Sequence, residues 1–177
     1  MKNLILVILT ASVLVACDKE ETIINPTYKE SVEFSVNTPT FEVDEILSVA
    51  ASQNDLKNAA ISSNDAIEVK DVWMEVTPQD NNSADIATVS IYIMSVDGDE
   101  LLLADDVVVS VEEGKTIVPL MTNMTNEGGQ ELIRQLNDGI AGGNSNIKLS
   151  VKGESFFNDG LQGDVNINME MFIRYSF

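Results

Sequence analysis

Asp97, Asp99 and Glu100, followed by Asp105 and Asp106, bring five carboxylates into a stretch of ten residues. Calcium takes about six to eight oxygen ligands, many from carboxylates, so this cluster is a candidate calcium site. Its spacing departs from the EF-hand loop, which needs acids at alternating positions and a closing glutamate. Asp97-Gly98 is also a favoured hairpin turn, and turn chemistry accounts for half the cluster without metal. Trp73, the only tryptophan, offers a second chemistry. An exposed indole gives a sugar ring a surface to stack on. Because Val72, Met74 and Val76 mark one face of their strand, Trp73 lies on the other, either as cover for a second layer or as an exposed ligand-binding anchor. Gly142 to Asn146 and Asn158 to Gly160 carry amides that hydrogen-bond hydroxyls and read as solvated turns. The chain has no histidine, which removes the commonest general base and the commonest transition-metal ligand together. Ser-His-Asp and Cys-His arrangements cannot be assembled. Carboxylate pairs, tyrosine and lysine remain, and nothing in their spacing sets two acids across a cleft as glycoside hydrolysis requires. No enzymatic activity is expected, with a carboxylate-dependent hydrolase as the remote alternative.

The single cysteine, Cys17, stands where an apolar run ends and acids begin. Lys2 supplies a short positive segment, Leu4 to Leu9 are uninterrupted aliphatics, and Ala16 is the small residue before a cleavage point. The run is shorter than the roughly 20 apolar residues a spanning helix needs, and it reads as an export signal. Leu14-Val15-Ala16-Cys17 resembles the lipobox of bacterial lipoproteins. That resemblance implies a signal peptide over 1–16, cleavage before Cys17 and a diacylglyceryl thioether on its sulfur. Two or more acyl chains give a stable membrane anchor, each buried CH₂ contributing about 0.8 kcal/mol. Asp18-Lys19-Glu20-Glu21 is similar to the lysine-plus-acidic signal that follows the cysteine in surface lipoproteins of the Bacteroidota. Lys19, Glu20 and Glu21 are thereby expected to direct export to the cell surface, a periplasm-facing outer-membrane lipoprotein being the alternative. Residues 17–29, with Pro26 and few apolar side chains, read as a lipidated terminus and flexible tether.

Positioning falls to residues 30–177, read as one domain. The formal charge of −19 becomes −20 once the leader and its one charged residue, Lys2, are removed. A surface this acidic repels phosphate backbones, which excludes nucleic acid as a partner. Odd positions from Val165 to Tyr175 are apolar and even ones polar except Phe172, the pattern of a half-buried strand. Ile147 to Lys152 and Ser31 to Val36 alternate likewise. The phase slips at Lys70-Asp71 between Ile67-Glu68-Val69 and Val72 to Val76, which predicts a β-bulge or a crossing between sheets. Ala87 to Val96 predicts a central strand, Asp97-Gly98 a hairpin, and Leu101 to Leu103, Val107 to Val111 and Thr116 to Met121 further strands. Glu112 to Lys115 predicts a second hairpin connection, and Asn158 to Gly163 a turn pairing its two flanking strands. Glu131 to Leu136, stopped by Gly139, reads as a helix, and Asp44 to about Ala60 as one or two short helices.

Together these features predict an all-β chain: an antiparallel β-sandwich, broadly immunoglobulin-like in architecture, with one or two short helices. The Cys…Trp…Cys hallmark of immunoglobulin domains is absent. The expected function is a non-catalytic cell-envelope module that binds or scaffolds an extracytoplasmic protein or glycan, held to the membrane through its lipid. A glycan-binding accessory protein of an outer-membrane uptake system is the alternative. No cofactor is expected beyond the covalent lipid and the candidate calcium.

Overall fold

The computed structural model describes residues 28–49, 66–80, 82–111, 114–144, 146–155 and 161–174. They form eight strands and a helix: β1 Tyr28–Val36, β2 Thr40–Ser48, β3 Ala66–Pro78, β4 Ile86–Met94, β5 Glu100–Ser110, β6 Thr116–Pro119, α1 Asn126–Ala141, β7 Asn146–Ser155 and β8 Gly163–Arg174. The strands make two antiparallel four-stranded sheets, ordered β1-β8-β3-β6 and β2-β7-β4-β5. Alternation is the cause: on β8, Val165, Ile167, Met169 and Met171 are buried, while Asn166, Asn168 and Glu170 lie half-buried on the other face. A sheet with one apolar face must cover it, and here the second sheet does so. Phe34 and Met74 from one sheet and Ile91 and Ile93 from the other are fully buried in one shared core, each contributing about 1.5–3 kcal/mol.

The all-β sandwich agrees with the sequence reading, while its strand order is not the immunoglobulin one and defines it further. Only β4 and β5 are consecutive neighbours within a sheet; the other connections pass from one sheet to the other. That is the double-sheet jelly roll, an eight-stranded arrangement of two Greek keys. Gly98, with φ of 91°, turns the β4–β5 hairpin. The expected second hairpin at Glu112 to Lys115 instead joins β5 to β6 in opposite sheets. Asn158 to Gly163 likewise joins β7 to β8, which do not pair; within these two connections, residues 112–113 and 156–160 lie outside the described residues. The predicted phase slip is a bulge: the β3–β8 register shifts between Val69 and Asp71.

Four readings differ from expectation. Tyr28 and Lys29, read as tether, open strand β1. Asp44 to Ser48 belongs to strand β2, paired with Ser150 to Asn146 of β7, and residues 50–60 of the proposed helical segment lie outside the described residues. Leu101 to Leu103 and Val107 to Ser110 belong to one strand, β5, interrupted by a bulge at Asp105-Asp106 opposite Ser90. The helix runs further than predicted at both ends. Thr125 caps it by accepting Gly128 N–H at 3.1 Å, and it ends at Gly142, whose φ is 100°. Gly139 is passed because the left-handed cap conformation falls on the later glycine.

Candidate functional site

The jelly roll has two ends, and the register separates them. At one end lie the rung Val36–Gly163–Pro78 and the rung Ile86–Ser110. At the other lie Tyr28–Met171–Val69 and Met94–Glu100, closed by α1. The helix buries Leu132 and Leu136 in the core, and Thr125 N–H donates to Leu103 O at 2.9 Å. Thr125 Oγ1 also donates to Leu102 O. Gly128 permits this approach: a Cβ there would stand 2.3 Å from Leu102 O and 2.6 Å from Leu103 Cα. One buried acid completes the closure. Glu131 accepts from Gln135 Nε2 at 2.6 Å, from Arg134 at 2.5 and 2.8 Å, and from Val96 N–H of the hairpin at 3.3 Å.

Among the described residues, the end away from the helix is open. A cavity of about 850 Å³ is lined there by Gln79, Asp80, Asn82, Asp85, Ile86 and Ser110 among others, within the range of small-molecule sites. Asn82 frames it: its side chain donates to Ala84 O at 2.9 Å and accepts from Gln162 N–H at 3.1 Å. Val111 N–H donates to Asp85 O at 2.7 Å and Gln79 N–H to Gln162 O at 2.8 Å. These bonds hold three separate connections around one opening. Asp80, Asp85 and Ser110 are exposed at the lining. Carboxylate and hydroxyl oxygens favour a neutral hydrogen-bonding or cationic ligand and oppose an anionic one.

The residues expected from the sequence are dispersed. Asp97 and Asp99 sit in the β4–β5 hairpin, where Asp99 N–H donates to Ser95 Oγ at 3.0 Å and Ser95 N–H to Asp99 O at 2.7 Å. Glu100 is engaged by Lys152 Nζ at 2.7 Å, and that lysine also reaches Glu42 at 3.0 Å and lies 4.7 Å from the Tyr92 ring centre. Bonds to Glu100 and then Glu42 raise the Lys152 ammonium above its ordinary range. Asp105 and Asp106 lie farther along β5 in its bulge, with Asp106 at φ 42° and its N–H donating to Ser90 Oγ at 3.2 Å. Among the described residues no three Asp, Glu, His or Cys side chains are grouped to hold a metal ion. The structure therefore does not gather Asp97, Asp99, Glu100, Asp105 and Asp106 into a metal site.

Trp73 lies half-buried on the polar outer face of its sheet. Its Nε1 donates to Glu75 Oε1 at 3.1 Å, and Glu75 meets Lys115 Nζ at 2.5 Å. The lysine's bond, against a smaller effect of burial and with help from the indole, holds the Glu75 carboxyl below the usual range. Of the stretch Gly142 to Asn146, Ser145 lies outside the described residues, and the groups before it bond locally: Gly143 N–H donates to Asp138 O at 2.9 Å and Asn144 N–H to Asp138 Oδ2 at 3.1 Å. Asn158 to Gly160, Cys17 and Lys19 to Glu21 lie outside the described residues. The cavity residues escaped the sequence reading because they converge from connections far apart in the chain. Glu131 and Gln135 left a usable signal: they precede Leu132 and Leu136 by one position each, at the i, i+4 spacing of one helical face.

Fold and cavity define the class as an all-β jelly-roll sandwich open at one loop end. No family model and no curated protein matches the chain. Among solved structures, it is similar to a chain of turnip yellow mosaic virus, with 12% identity and a TM-score of 0.34 over 85% of this chain and 80% of that one. It is similar also to a chain of Desmodium yellow mottle tymovirus, with 10% identity and a TM-score of 0.34 over 86% and 89%. Likeness at this level carries no argument about function.

Proposed function

We propose that the protein is a non-catalytic lipoprotein of the bacterial cell envelope, acylated at Cys17, that presents its loop-end cavity to an extracytoplasmic ligand. The anchor rests on Leu14-Val15-Ala16-Cys17, and the observation that supports the cavity as the outward face is the polarity of β1. The strand begins at Tyr28, eleven residues after Cys17, at the helix-closed end, and it finishes at Val36 beside the cavity. The rise along nine strand residues is about 27 Å. On this reading the tether joins the fold at Tyr28, at the end opposite the cavity, which supports a cavity facing away from the lipid. Asp80 and Asp85 argue for binding. Both are exposed at the opening, where their charge is available to a cationic or hydrogen-bonding ligand.

The test is made on the full lipidated chain in intact cells. Cys17→Ala should shift the protein from the membrane to the soluble fraction with its leader unprocessed by the lipoprotein route. A photo-crosslinking residue at Asp85 should capture a partner that the same residue at Ile46, 59% exposed on an outer sheet face, does not. A Cys17→Ala protein that stays membrane-bound and matures normally would remove the anchor. Equal crosslinking from both positions would remove the cavity as the binding surface.

A further inference from the structure

The shortness of β6 exposes a second feature at the opposite end. β3 spans thirteen residues, but β6 pairs with it only from Trp73 to Val76, and Leu120 N–H adds one bond to Val72 O at 2.8 Å. The chain then turns away at Met121, and Met124 bridges to Ala104 in the other sheet. Among the described residues no strand continues β6 along Val69 to Asp71. Beside that edge lies a groove of about 230 Å³, lined by Val69, Met121, Met124, Gly129 and Ile133 with Gln130 at its side. Met121 and Ile133 are exposed at 44% and 41%. The bulge at Lys70-Asp71 sets the edge at this point.

We propose that this groove takes an extended peptide of alternating apolar residues with basic flanks, added to β3 in line with β6. Strand addition uses an open edge for main-chain bonds and an adjoining pocket for alternate side chains. Among the described residues both are present, since Val69 belongs to the edge and to the groove lining alike. The surrounding charge selects the flanks. Asp71, at the bulge, and Glu127, in the first turn of α1, are exposed, Lys70 is committed to Glu170 at 2.7 Å, and the chain carries a net charge of −19. The same charge opposes a second copy of this chain as the occupant. A short edge of this kind predicts affinity in the micromolar range rather than tighter, since few main-chain bonds form.

The probe is a fluorescein-labelled synthetic heptapeptide alternating valine or leucine with threonine and ending in lysine on both sides. Anisotropy with the full chain should show saturable binding. Ile133→Glu and Met121→Glu should each weaken it at least about tenfold while leaving thermal melting unchanged, because both side chains already meet solvent. A version of the peptide with proline at its centre, lacking the N–H for the edge, should lose most of its binding. The proposal is overturned if the parent peptide does not bind, if the proline version binds as well, or if both glutamate variants bind as wild type does. Absence of binding caused by a segment of this chain filling the groove also overturns it. So does a sedimentation profile in which a dimer, dissolved by Ile133→Glu, accounts for the surface.

Discussion

Glu131→Gln tests how the helix is fastened to the sandwich. The side chain is 8% exposed, and its two oxygens accept from three residues: Gln135, Arg134 and the hairpin amide of Val96. Gln135 Nε2 donates onward to Met94 O at 2.7 Å. Burial pushes the Glu131 carboxyl up, but the bonds from Arg134, Gln135 and Val96 outweigh it and hold the group below its ordinary value. Glutamine matches the shape yet turns one acceptor into a donor, so in either orientation it opposes an N–H already aimed at that site. Bonds to a charged group contribute about 1.5–3 kcal/mol. Arg134 is half exposed, and its share is screened toward about 0–1 kcal/mol. The expected loss is about 2–3 kcal/mol, or roughly 4–12 °C in Tm at about 2–4 °C per kcal/mol. Because the folded-state pKa is depressed, the contribution is complete above the ordinary glutamate value of about 4.3. It disappears as pH falls through the lowered value. Thermal melts of wild type and variant should therefore differ at neutral pH and converge in acid. A variant melting within about 1 °C of wild type at pH 7, or a gap unchanged at about pH 2, refutes the clasp.

Gly128→Ala and Gly129→Ala should move stability in opposite directions. The first drives a methyl into the Leu102 carbonyl and should cost about 1–3 kcal/mol, whereas the second meets only Met124 Cε at 3.5 Å and should gain up to about 1 kcal/mol from helix propensity; denaturant titration reads both. Ile167→Asp places an unpaired carboxylate at a site 1% exposed and should cost several kcal/mol of a total near about 5–15. Asn168→Asp, on the outer face, should change the same melt little, and equal losses would contradict the inward register of β8. Replacing Lys19, Glu20 and Glu21 with alanine should reduce cleavage by protease added to whole cells, and undiminished cleavage would reject them as a surface-export signal.

Strands were legible where one face meets the core and the other meets water. Val165 to Met171 alternate because the sandwich buries a single face, and the slip at Lys70-Asp71 shows in the sequence because a bulge flips that phase. Partnership was less legible. Glu112 to Lys115 and the segment before Gly163 carry turn chemistry, but a turn dictates only that the chain reverses. Whether it returns in the same sheet or the facing one depends on which apolar faces remain to be covered. β2 was obscured by its edge position: Glu45 occupies an inward place in the register yet is exposed. An inward-pointing charge of this kind guards an edge against pairing with another chain. It also breaks the alternation by which the strand would have been recognised.

Acids adjacent in sequence between Asp97 and Asp106 are divided by the pleat, the bulge and the Lys152 ion pairs, so proximity along the chain did not become proximity of ligands. Gln79, Asp85 and Ser110 show the converse, meeting at one opening because crossover connections must gather at the ends of a jelly roll. Under the proposed anchor at Cys17, β1 gives these ends different surroundings, since the tether would join the fold at Tyr28, on the closed end. On that polarity, a ligand reaching the cavity approaches from solvent, and a peptide at the β3 edge approaches beside the tether. Acylation should therefore restrict access to the β3 groove more than to the cavity. Comparing heptapeptide binding by the lipidated chain in vesicles and by soluble Cys17→Ala measures that difference, and equal affinity would place the groove clear of the membrane.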